Sequence, residues 1–156
     1  MSDFTAISKA NESDDIEITN IAFFPVIKIK HVREAQRIDG TVTTERLKKA
    51  IISAMITIND DLAEWRLLNQ AQGINSIDEL TQDSIDGESK YLHLYKQAVY
   101  CWANGLINDR YLNYDATAKA IKQTEPEQQS AGDLYRDARY AIRDILGKSH
   151  STMELV

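Results

Sequence analysis

An all-α fold is what this 156-residue sequence predicts. Three observations carry that expectation. Apolar residues recur at helical spacing from Leu47 to Leu68 and from Leu134 to Ile145. Glycines stand where those windows stop, and no run of alternating strand-type residues interrupts the chain. Length points to one domain, because a chain of about 150 residues buries roughly 68–70% of its unfolded surface and needs no staples. With 43% hydrophobic and 27% charged residues the chain has the composition of a soluble globular protein rather than of a disordered one. The expected organisation is a flexible acidic arm over residues 1–20, a single helical domain over 21–147 and a flexible tail over 148–156.

Each element has its own signal. Residues 1–20 are polar and acidic without a sustained period, which predicts an arm that orders on contact. Phe23 and Phe24 form an apolar anchor, and Pro25 favours extended backbone at Phe24. A short helix from about Lys30 to Ile38 is expected to stop at Asp39-Gly40. The strongest element runs from about Thr44 to Gln72. Leu47, Ile51, Ala54, Ile58, Leu62, Trp65 and Leu68 make one apolar stripe on an otherwise polar helix, and Gly73 ends it. Ser76 to Glu79 matches a capping box. The stretch from Lys90 to Leu112 is apolar on more than one face, so it belongs at the centre of the fold. Gly105 within it weakens a helix by about 1 kcal/mol relative to Ala, which a close helix crossing there would explain. Leu134, Ala138, Ala141, Ile142 and Ile145 line one face of a last helix ended by Gly147.

Charge narrows the function classes. A net charge of −6 argues against a free-standing nucleic-acid binder, which needs a basic footprint. The charge is also segregated. Asp3, Glu12, Asp14, Asp15 and Glu17 face one Lys9 in the first twenty residues, whereas Lys28, Lys30, Arg33 and Arg37 face one Glu34. Such segregation suits oriented contacts with partners and equally suits a solvated face. The lone Cys101 forms no internal disulfide, which fits a reducing compartment. No signal-peptide pattern and no membrane-length apolar run are present.

Motifs that imitate chemistry fail on their spacing. "LGKS" at Leu146 to Ser149 resembles the end of a phosphate loop, yet Ile142 stands where that loop needs glycine. "QDSIDGES" resembles a calcium loop, but Gln82 and His93 occupy the positions of its first and last carboxylates. Asp86 is better read as the cap of the central helix, with Gly87 and Glu88 in its first turn. His31, His93 and His150 are scattered without metal-ligand spacing. Cys101 reads as a buried hydrophobe, and the aromatic run from Tyr91 to Tyr114 has too few interleaved cations for base stacking. In "YLNYDATAKA", Asp115, Thr117 and Lys119 lack a nucleophile–base pair with an orienting group. The residues favour a corner between helices, with Asp115 capping a turn from Ala116. No catalytic, cofactor or metal residue is expected.

Five segments in order carry a resemblance: "FFP" at Phe23, "VREAQRIDGTVTTERLKKAI" from Val32, "IDGES" from Ile85, "DATAK" from Asp115 and "LYRDARYAIRDI" from Leu134. Together they resemble the L-type head completion/stabilisation proteins of temperate contractile-tailed bacteriophages, departing from that pattern in the arm and at Ala120. The resemblance implies a helical bundle similar to phage head–tail connector adaptors and no enzymatic activity. It implies a closed ring of about twelve copies, a dodecamer, joined by heterologous contacts. That ring would sit under the portal protein after DNA packaging, retain the genome and offer a surface to a tail or neck protein. Packaged DNA would pass through it without specific binding. The setting implied is the virion neck, assembled in the bacterial host cytoplasm, with no membrane partner. Candidate ring or portal contacts are Lys28, Lys30, Arg33 and Arg37, the acidic Asp83, Asp86 and Glu88, and the corner residues Asp115 and Lys119. The second reading is a helical adaptor or regulator that dimerises as a coiled coil through the Leu47–Leu68 stripe.

Overall fold

The structure, a computed structural model, describes residues 16–115 and 129–150. Five helices dominate those residues: α1 Ile29–Gln36, α2 Thr44–Asp61, α3 Ala63–Ala71, α4 Lys90–Asp115 and α5 Ala131–Leu146. Two antiparallel pairs of very short strands accompany them, β1 Glu17–Ile18 with β2 Ile27–Lys28 and β3 Ser84–Ile85 with β4 Glu88–Ser89. The expected all-α architecture therefore gives way to a mostly helical fold with two small ladders. Residues 17–20, expected within the acidic arm, are tied to the helical body through β1 and Asn20, as set out below.

The long stripe is buried, but not along one continuous helix. Thr43 Oγ1 accepts from the Arg46 backbone N–H and starts α2, satisfying one of the orphan donors of the first turn. Leu47, Ile51, Ala54, Ile58 and Leu62 are fully buried, and each large one contributes about 1.5–3 kcal/mol. At Leu62 the backbone leaves helical geometry (φ −100°, ψ 5°) and α3 begins. Beyond the bend Trp65 sits 5.7 Å from Phe23 and 5.6 Å from Tyr91, centroid to centroid, while Leu68 is 61% exposed. The coiled-coil dimer through Leu47–Leu68 is thereby corrected. Most of the seam is consumed inside the chain, and its last member points to solvent on a different helix.

Helix α4 packs against α1, α2 and α5, so it is central, as its two-sided apolar pattern predicts. Tyr95, Ala98, Val99 and Ala103 have no exposed surface. Gly105 marks the crossing with α5. A Cβ built there would lie 2.6 Å from Cε1 of Tyr135, so any larger residue would have to displace that ring. On α5, Leu134, Ala138, Ala141, Ile142 and Ile145 are buried. Ser130 Oγ caps its start by accepting from the Asp133 N–H, and Gly147 (φ 68°) ends it. That position makes the "LGKS" segment a helix terminus rather than a phosphate loop.

The acidic stretch before α4 is a hairpin, which corrects its reading as a helix cap. Asp86 and Gly87 both take positive φ, 53° and 75°, the signature of a two-residue turn whose twist matches its strands. Helix α4 begins only at Lys90, and Ser89 Oγ rather than Asp86 accepts from its Tyr91 N–H. Tyr111 to Asp115 continue α4 as helix, so Asp115, expected as a cap, is itself helical. Ala116 to Ala120, with Thr117 and Lys119, lie outside the described residues.

Candidate functional site

The chain enters the core through a polar lock. Asn20 Nδ2 donates to the Pro25 carbonyl and to the Tyr95 hydroxyl, both at 2.8 Å. Asn59 Nδ2 donates to Asn20 Oδ1 at 2.9 Å, and the Tyr95 hydroxyl donates to Asn59 Oδ1 at 2.6 Å. Phe24 stacks on the Tyr95 ring at 4.6 Å. Each buried polar atom in this set has a partner, which makes burial tolerable. Burial pushes the Tyr95 hydroxyl well above the ordinary tyrosine range, with the Asn20 and Asn59 hydrogen bonds opposing it. Ile77 N–H donating to the Phe23 carbonyl at 2.9 Å fixes the same segment from the other side.

The basic stretch divides into engaged and exposed charges. Lys28 on β2 is 3.5 Å from Glu17 on β1. Arg33 turns inward, its Nη1 donating to the Asp39 carbonyl at 2.7 Å and its Nη2 to the Val42 carbonyl at 3.1 Å. It thereby holds the loop between α1 and α2. Asp39 reinforces that loop by accepting from the Thr41 hydroxyl and N–H, which holds its carboxyl below the usual carboxylate range. Lys30 and Arg37 are exposed. Arg37 ends α1 in left-handed backbone (φ 53°, ψ 42°), its N–H and that of Ile38 reaching back to the Glu34 and Arg33 carbonyls. That geometry ordinarily takes glycine.

The acidic hairpin is likewise part structure and part surface. Asp83 pairs with Lys90 at 2.8 Å, and this hydrogen bond is what raises the Lys90 amine. Glu88 lies 3.8 Å from His93, whose Nε2 contacts the Ile85 carbonyl at 2.8 Å. Asp86 occupies the exposed turn, and the side chain of neighbouring Ile85 is 61% exposed. Asp115 is the last residue of α4. The structure thus places the basic stretch on β2–α1 and the acidic stretch on the β3–β4 hairpin.

A third charged region escaped sequence reasoning. Arg46, Lys49 and Ala50 of α2 line a cleft of about 260 Å³ with Leu106, Ile107 and Arg110 of α4. Helices α2 and α4 run antiparallel, since Asn59 meets Tyr95 at one end while Ala50 and Ile107 share the cleft near the other. Only that register brings Arg46 and Lys49 to Arg110 across some sixty residues of sequence. The available signal was the i, i+3 spacing of Arg46 and Lys49 beside the apolar stripe.

Elsewhere burial pushes the Cys101 thiol up, with Asp137 adding to the effect, so the thiol is kept in its unreactive form. Among the described residues no group of three His, Cys, Asp or Glu side chains is placed to hold a metal. No helix among them is long and apolar enough to cross a membrane.

The described residues form a helical body fastened by polar locks, with exposed basic residues on β2–α1 and exposed acidic residues on the β3–β4 hairpin. The comparisons specify the family. Residues 18–156 match the model of the phage head completion protein (GPL) family. The chain is 36% identical over 144 residues to the head completion/stabilization protein of Escherichia phage P2, covering 92% of this chain and 85% of that protein. It is 24% identical over 148 residues to the probable head completion/stabilization protein of Haemophilus phage HP1, covering 95% and 97% respectively. No solved structure matches. The chain belongs to the phage head completion protein (GPL) family, a family of structural phage proteins, as the ordered segments of its sequence imply.

Proposed function

We propose that this protein completes a phage head by forming a closed ring beneath the portal after DNA packaging, retaining the genome and presenting a surface for tail attachment. The carrying observation is the family match over residues 18–156. Heterologous contacts close into a ring when each copy offers two different complementary faces. The exposed Lys30 and Arg37 at one place and the Asp86 turn with Ile85 at another are faces of that kind. Asp115 and Lys119 remain proposed interface residues at or beyond the end of α4. Lys28, Arg33, Asp83 and Glu88 already have partners within the chain, so they contribute chiefly by fixing the shape of each patch. Such a protein is a virion component of the neck, assembled in the host cytoplasm and devoid of catalytic activity.

The test mixes the purified protein with its cognate portal ring and measures complex mass by light scattering after size exclusion. A complex in which the added chains match the portal's own stoichiometry, about twelve in a closed ring, is expected. A protein that stays free of the portal, or that forms only a tight dimer, sinks the proposal.

A further inference from the structure

The cleft between α2 and α4 is cationic at its edge and apolar at its base. Its rim is Arg46, Lys49 and Arg110, and its floor is the aliphatic surface of Ala50, Leu106 and Ile107. Lys49 and Arg110 are exposed. We propose that this cleft receives the acidic N-terminal segment, residues 1–15, of a second copy of the chain. The inference rests on the ring reading above, which supplies a neighbour in fixed orientation.

Three observations favour this occupant. The first is charge: residues 1–15 carry Asp3, Glu12, Asp14 and Asp15 against Lys9, opposite in sign to the rim, and complementary potentials steer and register an interface. The second is the floor. A phosphodiester backbone gains nothing from aliphatic carbon, whereas the segment sets Phe4 beside Asp3 and adds Ile7, an apolar anchor next to a charge. A net charge of −6 also turns nucleic acid away. The third is direction. The described chain begins at Ile16, whose carbonyl accepts from the Ile29 N–H at the start of α1. Asn20, four residues on, is bonded to Tyr95, while the cleft lies around Ile107, about 18 Å further along α4 from Tyr95 at 1.5 Å per residue. A donor segment at one end and an acceptor cleft toward the other make a head-to-tail contact. Fifteen residues extend to about 50 Å, enough to cross to a neighbour.

The test uses a fluorescent peptide of residues 1–15 titrated into the full-length protein, together with light scattering of full-length chains. Saturable peptide binding is expected, weakened about tenfold or more by Lys49→Glu with Arg110→Glu, with circular dichroism unchanged. Reversing the segment instead (Asp3→Lys, Glu12→Lys, Asp14→Lys and Asp15→Lys) lowers self-association. Mixing the two reversed chains restores it, since each reversed face again meets its opposite. Absent peptide binding, or binding indifferent to the cleft reversal, overturns the proposal. So does recovery only when both reversals share one chain, because the segment then serves its own cleft. A DNA oligonucleotide that displaces the peptide identifies a phosphate site and also overturns it. The peptide titration needs no portal, so its failure is distinct from failure of portal mixing.

Discussion

Tyr95 is fully buried, and its hydroxyl joins Asn20 and Asn59 in the core. Its ring was legible from the apolar pattern of the central helix, but the partners of its hydroxyl were not. Asn59 is 36 residues away and Asn20 is 75 away, and nothing local in "ITNIAFFP" marks Asn20 as a core residue. Hydrogen bonds of that span appear only once the helices are packed. Tyr95→Phe keeps the stacking on Phe24 and removes the hydroxyl, leaving Asn59 and Asn20 one partner short in a buried site. A loss of about 1–3 kcal/mol is expected. The pH dependence gives a second readout. Burial raises Tyr95 above the ordinary range, and burial together with the Asp109 hydrogen bond pushes Tyr135 up to about 12. The folded chain therefore keeps phenolic protons that the unfolded chain releases from about pH 10. Stability from these groups is full below about pH 10 and is lost as pH rises through their folded values. Urea midpoints measured from neutral to strongly alkaline pH should fall above about pH 10 in the parent and less steeply in Tyr95→Phe. Equal slopes would assign the alkaline loss to other groups.

At the scale of elements, the sequence was readable wherever a local rule decides the outcome. The stripe of α5, its glycine terminus and the start of α2 follow from period and caps, and each lies where those rules put it. The bend at Leu62 was not readable, because Leu62 continues the stripe and the aromatic contacts Trp65 makes beyond it, with Phe23 and Tyr91, are long-range. The hairpin was missed for a different reason. Its strands are two residues each, too short to alternate, so Asp86-Gly87 competed with a cap reading and lost. Gly105 was read correctly as a crossing, and its substitution separates propensity from packing. Ala improves the helix by about 1 kcal/mol, while its Cβ meets the Tyr135 ring. That ring cannot retreat freely: Trp102 lies 4.6 Å from it and its hydroxyl donates to Asp109 at 2.9 Å. Overpacking of this kind costs about 1–3 kcal/mol. Gly105→Ala should therefore be destabilising by roughly 1 kcal/mol net, and Gly105→Ala with Tyr135→Ala should lose less than the sum of the two single changes. Thermal unfolding checks both, and a more stable Gly105→Ala protein would show that the helices have room to separate.

On the scale of the whole molecule, charge decides what the protein can hold. Composition alone showed a net charge of −6, and the segregated basic stretch was visible in the sequence as a stretch. Its surface value was not, because two of its members, Lys28 and Arg33, turn to partners that only the loop and strand geometry supplies. The cluster of Arg46, Lys49 and Arg110 was invisible for the opposite reason, since antiparallel pairing of α2 with α4 creates it. These facts together set an expectation for DNA. The mean field of an acidic protein opposes a polyanion, and the screening length of about 8 Å at 0.15 M salt leaves only local cations to act. Three cations neutralising three phosphates would give a log–log salt slope of about −2.7, too shallow for tight binding near physiological salt. Fluorescence anisotropy of a labelled duplex should therefore show no saturable binding at micromolar protein and about 0.15 M salt. Binding that survives there would mean the cleft reads phosphate. A free chain that does not hold DNA suits the ring proposed above, because any grip on the backbone of DNA passing through such a ring would have to be broken at every step of its exit.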